Sequence, residues 1–511
     1  MKFFLPFWGD RIDMNYDFVK GSSRGGREDR FIWEVFDPPP LDGVLVSRPT
    51  LDKLRVLNEV LRVGIKKVLR WNGPVLGDCG AWEYVLEDEP PYEPHELLRY
   101  YYDAGFDIGV APDHIITRRI MKRGRVRELS KEEMRRRWEI TIRNAEFFFR
   151  EWYEVDKYYM GLRIMGVVQG WDTSSYGRAV KELIRMGYDY VGIGGAAYRT
   201  TGDIIRILKI THRLVRKEWE NKRRRIEIHV FGVTRVNELL PFFIKYGVTS
   251  IDSSSLLRKA WLDRKRNYLI GSDWYPAVRF REGTDLKHVL ELLRMYDRGE
   301  ISLKELWELI RDKIKIPSRF SRERYLSLLW GTLRRKPWRK CDCVLCKETG
   351  VDIIIFKGNQ RNMRRGFHNV YQFYKALRER FPKVLLVTEC IAEQKNVSNA
   401  IPAYELCKLS ERFQNVWSKV GNLPVDIVII SDKYGPVMWY TKIKNRVKGT
   451  IVNDPEKVAK KLFSYISRNY YDLVIFCDLS AYRAVFKKLK GYMQKRGIKV
   501  LFNSLENILR H

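Results

Sequence analysis

The chain has 511 residues, of which 45% are hydrophobic and 13% aromatic, and its net charge is +32. This length exceeds one ordinary core and the apolar content is ample for burial, so we expect two or three folded domains and exclude a disordered chain. No apolar run approaches the roughly 18 residues that span a bilayer, and the amino terminus lacks a signal-peptide cleavage site. We therefore expect a cytoplasmic protein that makes no membrane contact.

The positive charge is concentrated in three segments of the sequence. Residues 118–137 contain ten Lys or Arg, residues 213–225 contain seven, and residues 311–340 contain eleven against two acids. Each segment alone is typical of a solvated helix face. Together, and with tryptophans interleaved, they indicate a surface that follows the phosphates of a nucleic acid. These tryptophans are Trp138, Trp219, Trp330 and Trp338.

From about residue 40 to 280, short apolar strands alternate with amphipathic helices, which predicts a parallel sheet. Polar or glycine residues follow almost every strand, and only a closed barrel gathers all those points at one rim. We therefore favour a (β/α)8 TIM-type barrel over an open doubly wound sheet. The predicted strands are 43–46, 74–77, 108–111, 165–168, 190–193, 228–231 and 250–252, and the predicted helices are 51–63, 94–104, 131–152, 175–186, 204–222 and 236–246.

The rest of the chain predicts a helical, zinc-binding part and a small C-terminal α/β domain. Helices are expected at 286–296, 303–313 and 366–380, and the hydrophobic strands that restart after Pro382 are 384–387, 425–430, 473–476 and 498–502. We therefore divide the chain into a barrel catalytic core (1–284), a helical and zinc-binding part (285–382) and a C-terminal α/β domain (383–511).

Three cysteines and a histidine have the spacing of a metal site. Cys341, Cys343 and Cys346 lie close together in one knuckle. His368 follows a short distance along the chain and can be the fourth ligand. Four such ligands suit a closed tetrahedral Zn2+ site, which holds structure and performs no chemistry. The alternative is a set of ordinary buried thiols beside an unrelated histidine.

Two aspartates at predicted strand ends are candidates for catalysis. Asp78 lies in Gly77-Asp78-Cys79-Gly80, where glycines permit a tight turn, and Asp252 is flanked by serines. Two carboxylates that face one pocket can divide a glycosidic substitution between a nucleophile and an acid/base. The alternative for each is a simple helix cap.

Several ordered motifs resemble the tRNA-guanine transglycosylases, over roughly residues 1–380. The phrases at 102–114, 168–171, 249–253 and 364–369 are more typical of the branch that acts on DNA, the DNA 7-deazaguanine transglycosylases. The other motifs are Asp-Cys-Gly-Ala-Trp at 78–82, Gly-Val-Val-Gln-Gly at 166–170, Gly-Ile-Gly-Gly at 192–195, His-Val-Phe-Gly-Val at 229–233 and the zinc knuckle with His-Asn at 368–369.

The resemblance implies a role for each matching residue. Asp252 matches the nucleophile that holds the sugar covalently, and Asp78 matches the acid/base. Structural zinc is implied at Cys341, Cys343, Cys346 and His368. The implied base-binding residues are Trp82 and Phe231, which sandwich the base, and Asp113, Gln169, Gly194 and Gly195, which recognise its edge.

The resemblance implies that guanine in DNA is exchanged for a 7-deazaguanine base, 7-cyano-7-deazaguanine. The alternatives are the same exchange on tRNA, or a catalytically inactive zinc-stabilised protein that binds nucleic acid. A homodimer and accessory DNA-modification proteins are left open. The C-terminal domain resembles a part of archaeosine synthase but reads Cys390-Ile391-Ala392-Glu393-Gln394-Lys395 where a Cys-x-x-Lys-Lys-like run is expected. We therefore favour a docking or substrate-gripping domain there over the alternative of a second active site.

Overall fold

The computed structural model describes residues 1–122, 124–155, 161–263, 265–318, 320–389, 401–407, 411–420, 425–431, 435–443, 455–477 and 483–502. The run at 390–395 discussed above lies outside these residues. The chain forms two compact units: Met1–Phe7, Asp42–Ser253 and Phe381–His511 make the first, and Trp8–Leu41 and Ser254–Arg380 make the second. The divisions predicted after residues 284 and 382 stay predictions. Within the described ranges, every helix is too short or too polar to cross a membrane.

The first unit contains a closed barrel of eight parallel strands, which confirms the predicted TIM-type fold. Around the barrel each strand pairs with its sequence neighbours, and β1 closes the ring by pairing with both β8 and β2. The strands are β1 (Lys2–Pro6), β2 (Gly43–Ser47), β3 (Val75–Asp78), β4 (Ile108–Val110), β5 (Arg163–Val168), β6 (Tyr190–Ile193), β7 (Glu227–Val230) and β8 (Ser250–Asp252).

The helices that connect the barrel strands lie close to the predicted ranges. The predicted helix 51–63 is interrupted, because Arg55 takes a left-handed conformation with φ of 58°. Asp172 and Thr200 cap two of the helices by accepting hydrogen bonds from backbone N–H groups in their first turns. The helices are Arg48–Lys53, Leu57–Val63, Ile65–Leu69, Pro94–Ala104, Lys131–Val155, Thr173–Met186, Thr201–Lys222 and Val236–Lys245.

A β-hairpin that the sequence analysis did not predict lies between β4 and the helix Lys131–Val155. Its strands are Arg119–Lys122 and Arg125–Glu128, paired antiparallel with Met121 opposite Val126. We call it the rim hairpin, because it follows the carboxyl end of β4. It lies within the first basic segment of the sequence, which contains few of the β-branched residues that indicate strands.

The C-terminal part of the first unit is a five-stranded sheet, as predicted for a small α/β domain. Its strands run in the order β11-β10-β9-β12-β13, and β11 alone is antiparallel. Apolar residues of these strands pack against helices Pro455–Asn469 and Arg483–Gln494. The strands are β9 (Val384–Glu389), β10 (Asp426–Ser431), β11 (Gly435–Met438), β12 (Leu473–Cys477) and β13 (Lys499–Phe502).

This sheet packs against the amino ends of the barrel strands, which we call the barrel floor. Lys2, at the start of β1, forms an ion pair of 2.6 Å with Asp426 at the start of β10. Lys383 pairs with Asp42 at 2.8 Å. Arg163, the first residue of β5, lies 4.1 Å from the ring centroid of Tyr440. The described part of this domain therefore packs on the amino-terminal face of the barrel. In TIM barrels this face contributes to stability, whereas the opposite face carries the active site.

The second unit is mainly helical. Asp352 organises part of it, because its carboxylate accepts hydrogen bonds from Arg294 at 2.8 Å and Arg361 at 2.7 Å. A short hairpin of Tyr268–Ile270 and Asp273–Tyr275 packs against the longest helix of this unit. The main helices are Ser255–Leu262, Leu286–Arg298, Leu303–Ile310, Arg322–Arg335, Pro337–Lys340, Val344–Thr349 and Gly358–Arg380.

Candidate active site

The predicted catalytic and base-binding residues all follow the carboxyl ends of barrel strands. Asp78 ends β3 and Asp252 ends β8. Because all barrel strands are parallel, these ends meet at one rim, where TIM barrels carry their active sites. The remaining predicted residues lie in the loops after these strands: Trp82 after β3, Asp113 after β4, Gln169 after β5, Gly194 and Gly195 after β6, and Phe231 after β7.

Asp78 is held in a tight turn and resists ionisation. Its Oδ2 accepts a hydrogen bond of 3.0 Å from the N–H of Gly80, whose φ of +81° suits glycine. Burial raises the pKa of the Asp78 carboxyl to about 7, and repulsion from the Asp113 and Asp252 carboxylates adds to the shift. A carboxyl with this pKa can both donate and accept a proton near neutrality.

Asp252 is only 5% exposed and is held by two donors on one oxygen. Its Oδ1 accepts from the N–H of Gly232 at 2.9 Å and lies 3.2 Å from His229 Nε2. The other ring nitrogen of His229 lies 2.9 Å from Ser250 Oγ, which is 2.5 Å from the hydroxyl of Tyr190. These contacts on Oδ1 fix the orientation of the Asp252 carboxylate.

His229 was not predicted as a site residue, although it lies in a motif that the sequence analysis singled out. It is on β7 two residues before Phe231, and its side chain is fully buried. In the predicted strand 228–231, residues two apart point to the same side, so a histidine in phase with the base-binding Phe231 was the available signal. The His229 ring contacts the Asp252 carboxylate and restricts the orientation of that group.

Asp113 and Gln169 form one buried polar pair. Gln169 Nε2 donates to Asp113 Oδ2 at 2.7 Å, and the Cys79 thiol donates to Asp113 Oδ1 at 3.2 Å. Gln169 Oε1 is buried and has no hydrogen-bond partner among the described residues. A buried acceptor without a donor is costly, so this oxygen suits a donor group of a ligand.

Gly194 and Gly195 bring the backbone close to this pair. A Cβ on Gly194 would lie 2.3 Å from Gln169 Nε2, so any side chain there would displace the amide. Gly195 has a φ of +73°, and a Cβ on it would lie 3.2 Å from Gln169 Oε1. The glycine pair therefore permits the position that Gln169 takes.

Two aromatic groups lie at the rim. The half-buried Trp82 has its ring centroid 5.4 Å from that of Tyr198, which the sequence analysis did not select. Phe231, also half-buried, lies 4.4 Å from the His229 ring. The sandwich of a base between Trp82 and Phe231 stays a prediction.

The four predicted zinc ligands come together in the second unit. The thiol sulfurs of Cys341, Cys343 and Cys346 lie 3.6, 3.4 and 3.2 Å from His368 Nδ1. All four residues are buried, and their candidate ligand atoms lie within 4.8 Å of one another. This donor set and geometry could hold one metal ion, which fits the expectation of structural zinc.

The surroundings of the cluster favour metal binding. His368 Nε2 lies 2.6 Å from the carbonyl oxygen of Leu269, which can accept its proton and so leave Nδ1 with a free lone pair. Backbone N–H groups of Cys343 and Cys346 and the amide of Gln372 donate to cysteine sulfurs. Such donors stabilise thiolates.

Some arginines of the three basic segments are buried and stabilise the fold. Arg137 is buried and donates to the carbonyl oxygens of Val85 and Ile115, and Arg225 is buried beside Glu227. Trp219 and Trp338 are 6% and 1% exposed. The prediction that these two tryptophans belong to a binding surface is wrong, because both fill cores.

No protein-family model matches the chain. It is 33% identical to a DNA-guanine transglycosylase of Salmonella montevideo over 418 residues, which cover 74% of this chain and 96% of the relative. It is 26% identical to a tRNA-guanine(15) transglycosylase of Pyrobaculum aerophilum over 208 residues, which cover 40% of this chain and 38% of that protein. The chain belongs to the DNA-guanine transglycosylase branch of the tRNA-guanine transglycosylase superfamily of enzymes.

Proposed function

We propose that this protein exchanges guanine in DNA for a 7-deazaguanine base through a covalent link between Asp252 and deoxyribose. The observation that carries the proposal is the pair of rim carboxylates, Asp78 and Asp252, which are close enough for the charge of one to raise the pKa of the other. The relative that acts on guanine in DNA, by its name, aligns over almost its whole length.

The reaction needs only groups that the site contains. Asp252 Oδ2 attacks C1′ of the target nucleotide, the bond from C1′ to N9 of guanine breaks, and Asp78 gives its proton to the departing N9. Asp78, now a carboxylate, removes the proton from N9 of the incoming base. That nitrogen attacks C1′ and releases Asp252. Two inversions return the sugar to its original configuration.

The polar pair Asp113 and Gln169 would select the base. The Asp113 carboxylate and Gln169 Oε1 are acceptors, and they match the N1–H and 2-amino donors that guanine and 7-deazaguanines share. A buried site with such acceptors rejects bases that lack the donors. These donors fit any 7-deazaguanine that keeps them, and we propose 7-cyano-7-deazaguanine as the entering base, with Trp82 and Phe231 on its faces. Zinc bound by Cys341, Cys343, Cys346 and His368 would serve the fold.

A covalent-trapping experiment tests the proposal. The protein is incubated with guanine-containing DNA and 7-cyano-7-deazaguanine, and a denaturation-resistant protein–DNA adduct is sought, with mass spectrometry of the product nucleosides. Asp252→Asn should abolish the adduct and the exchange, while Asp78→Asn should slow exchange. An equal yield of adduct from both variants would contradict the assigned roles.

The partial similarity to a tRNA enzyme favours tRNA as the second candidate substrate. The same incubation with tRNA separates the candidates, because modified nucleoside should appear in one polymer alone. Modification of neither polymer by the wild-type protein would support a catalytically inactive binding protein.

A further inference from the structure

The rim hairpin has an unusual distribution of apolar residues. Ile120 is fully buried, as expected for the face that packs on the barrel, whereas Met121 is 63% and Val126 is 51% exposed. These two residues are directly paired across the hairpin, so the outward face carries one continuous apolar patch near its tip. We call Met121 and Val126 the hairpin wedge.

The hairpin is anchored firmly at its base. Arg127 donates to the carbonyl oxygen of Leu86 at 2.5 Å and to Asp88 Oδ1 at 3.0 Å, and it pairs with Glu133 at 2.7 Å. Arg127 is paired with the buried Ile120, and the wedge pair Met121 and Val126 follows directly, so the anchored part of the hairpin holds the wedge in place. An apolar patch on a short, anchored projection is suited to penetrating a partner, because the projection does not have to be ordered on binding.

The base of the hairpin adjoins the base pocket. The carbonyl oxygen of Ile116, three residues before the hairpin, accepts from Arg199 at 3.1 Å. The same guanidinium donates to the carbonyl oxygen of Gly170, directly after Gln169. The wedge therefore projects from the loop that also supplies Asp113.

The residues next to the wedge are two arginines and one acid, Glu128, which pairs with Arg119 across the hairpin. Arg118 and Arg119 precede Met121 and are both exposed. Apolar side chains flanked by arginines match a duplex, in which a wedge unstacks one base step while the cations contact phosphates. The site also requires such an action, because the nearly buried Asp252 cannot reach C1′ of a nucleotide that remains stacked.

We propose that Met121 and Val126 enter the base stack of duplex DNA beside the target guanine and hold open the space that it leaves when it turns into the pocket. The partner is double-stranded DNA, and the inference rests on the function proposed above. The wedge is needed only where stacking must be broken, so a target that is already unstacked should not require it.

The test uses the full-length double variant Met121→Gln/Val126→Thr, whose side chains are polar and nearly isosteric. Exchange is measured on one oligonucleotide sequence presented as a perfect duplex and with the target guanine in an unpaired bubble. We expect the variant to be about 10- to 100-fold slower on the duplex and within about threefold of wild type on the bubble. Equal rates on the duplex, or equal losses on both substrates, would overturn the proposal.

Two controls accompany the double variant. Leu61→Gln replaces another exposed apolar residue, on the helix Leu57–Val63, and should leave both rates unchanged. Arg119→Ala removes a cation and should weaken binding to duplex and bubble alike. Thermal midpoints check that each variant is folded.

A binding measurement separates the wedge from the chemistry. Asp252→Asn is mixed with duplex containing 2-aminopurine next to the target guanine, and fluorescence should rise as stacking is lost. The rise should disappear when Met121→Gln/Val126→Thr is added to Asp252→Asn. A fluorescence rise with no exchange by wild type would refute the proposed function and retain the wedge, whereas exchange with no rise would refute the wedge alone.

Discussion

Asp78 is the residue whose ionisation should control the rate of exchange. Its pKa of about 7, raised by burial and then by Asp113 and Asp252, makes the two halves of the reaction depend oppositely on pH. Formation of the adduct needs the proton and should slow as pH rises through about 7. Release to the incoming base needs the carboxylate and should slow as pH falls through the same value. Single-turnover measurements of each half test this, and Asp78→Asn should remove both dependences.

The same residue should make the folded protein less stable at high pH. Because the folded-state pKa of about 7 lies above the ordinary 3.8, the folded chain binds the extra proton between these values, and stability falls as pH rises across that window. If the whole pKa shift were expressed, the free energy of unfolding would change by about 4 kcal/mol. We halve this change to about 2 kcal/mol because Asp78 is partly exposed. Asp78→Asn should therefore raise the thermal midpoint by a few degrees above about pH 8 and hardly at all near pH 4. A uniform shift at all pH values would contradict this origin.

Single residues also show what the sequence could and could not predict. The positions of Asp78, Asp113, Gln169 and Asp252 at the rim follow from strands that end in polar residues. The contact between His229 and Asp252 does not, because it depends on two neighbouring strands being in register. Gln169 Oε1 without a partner is likewise a property of three-dimensional packing.

At the scale of elements, the zinc cluster should determine the stability of the second unit. Cys343→Ser removes one of four ligands, so metal content should fall from about one ion per chain, and soluble yield and thermal midpoint should fall with it, because zinc binding is coupled to folding. Elemental analysis and thermal unfolding measure both effects. The matched control is Cys477→Ser, which replaces a buried thiol in β12. This variant protein should keep its metal. A Cys343→Ser protein that is folded but inactive would indicate a catalytic metal.

The elements that the sequence did not predict have identifiable causes. Strand β1 was missed because residues 2–6 form a short apolar run with no preceding helix, and only its pairing with β2 and β8 reveals the eighth strand. The rim hairpin was missed because arginines dominate it. Both elements are stabilised by contacts distant in sequence, which local patterns do not record.

At the scale of the whole molecule, the net charge of +32 overstates the cationic surface. Arg365, for example, is buried and donates to the carbonyl oxygens of Ala260 and Ile353, and burial lowers its pKa to about 9. Arg163, Arg225 and Arg361 are committed to buried ion pairs. The exposed arginines, such as Arg118 and Arg119, are the ones available to phosphates.

Binding to DNA should nevertheless depend steeply on salt. A protein that contacts about six to ten phosphates loses about 10³- to 10⁵-fold in affinity between 50 and 200 mM salt, through counterion release. Fluorescence anisotropy across this range measures the slope. Arg119→Ala should reduce the slope by about one, whereas Arg216→Ala, an exposed residue paired with Glu220, should not. Affinity that is independent of salt would contradict a polyanion partner.

The docking of the C-terminal sheet on the barrel floor has a consequence for the topology of the substrate. The described part of this domain lies at the end of the barrel opposite to Asp78 and Asp252, so it does not encircle the polymer there. The described residues of this domain therefore require no strand terminus to be threaded. Covalently closed plasmids should then be accepted as readily as linear fragments of the same sequence, and negative supercoiling, which favours local opening, should help them.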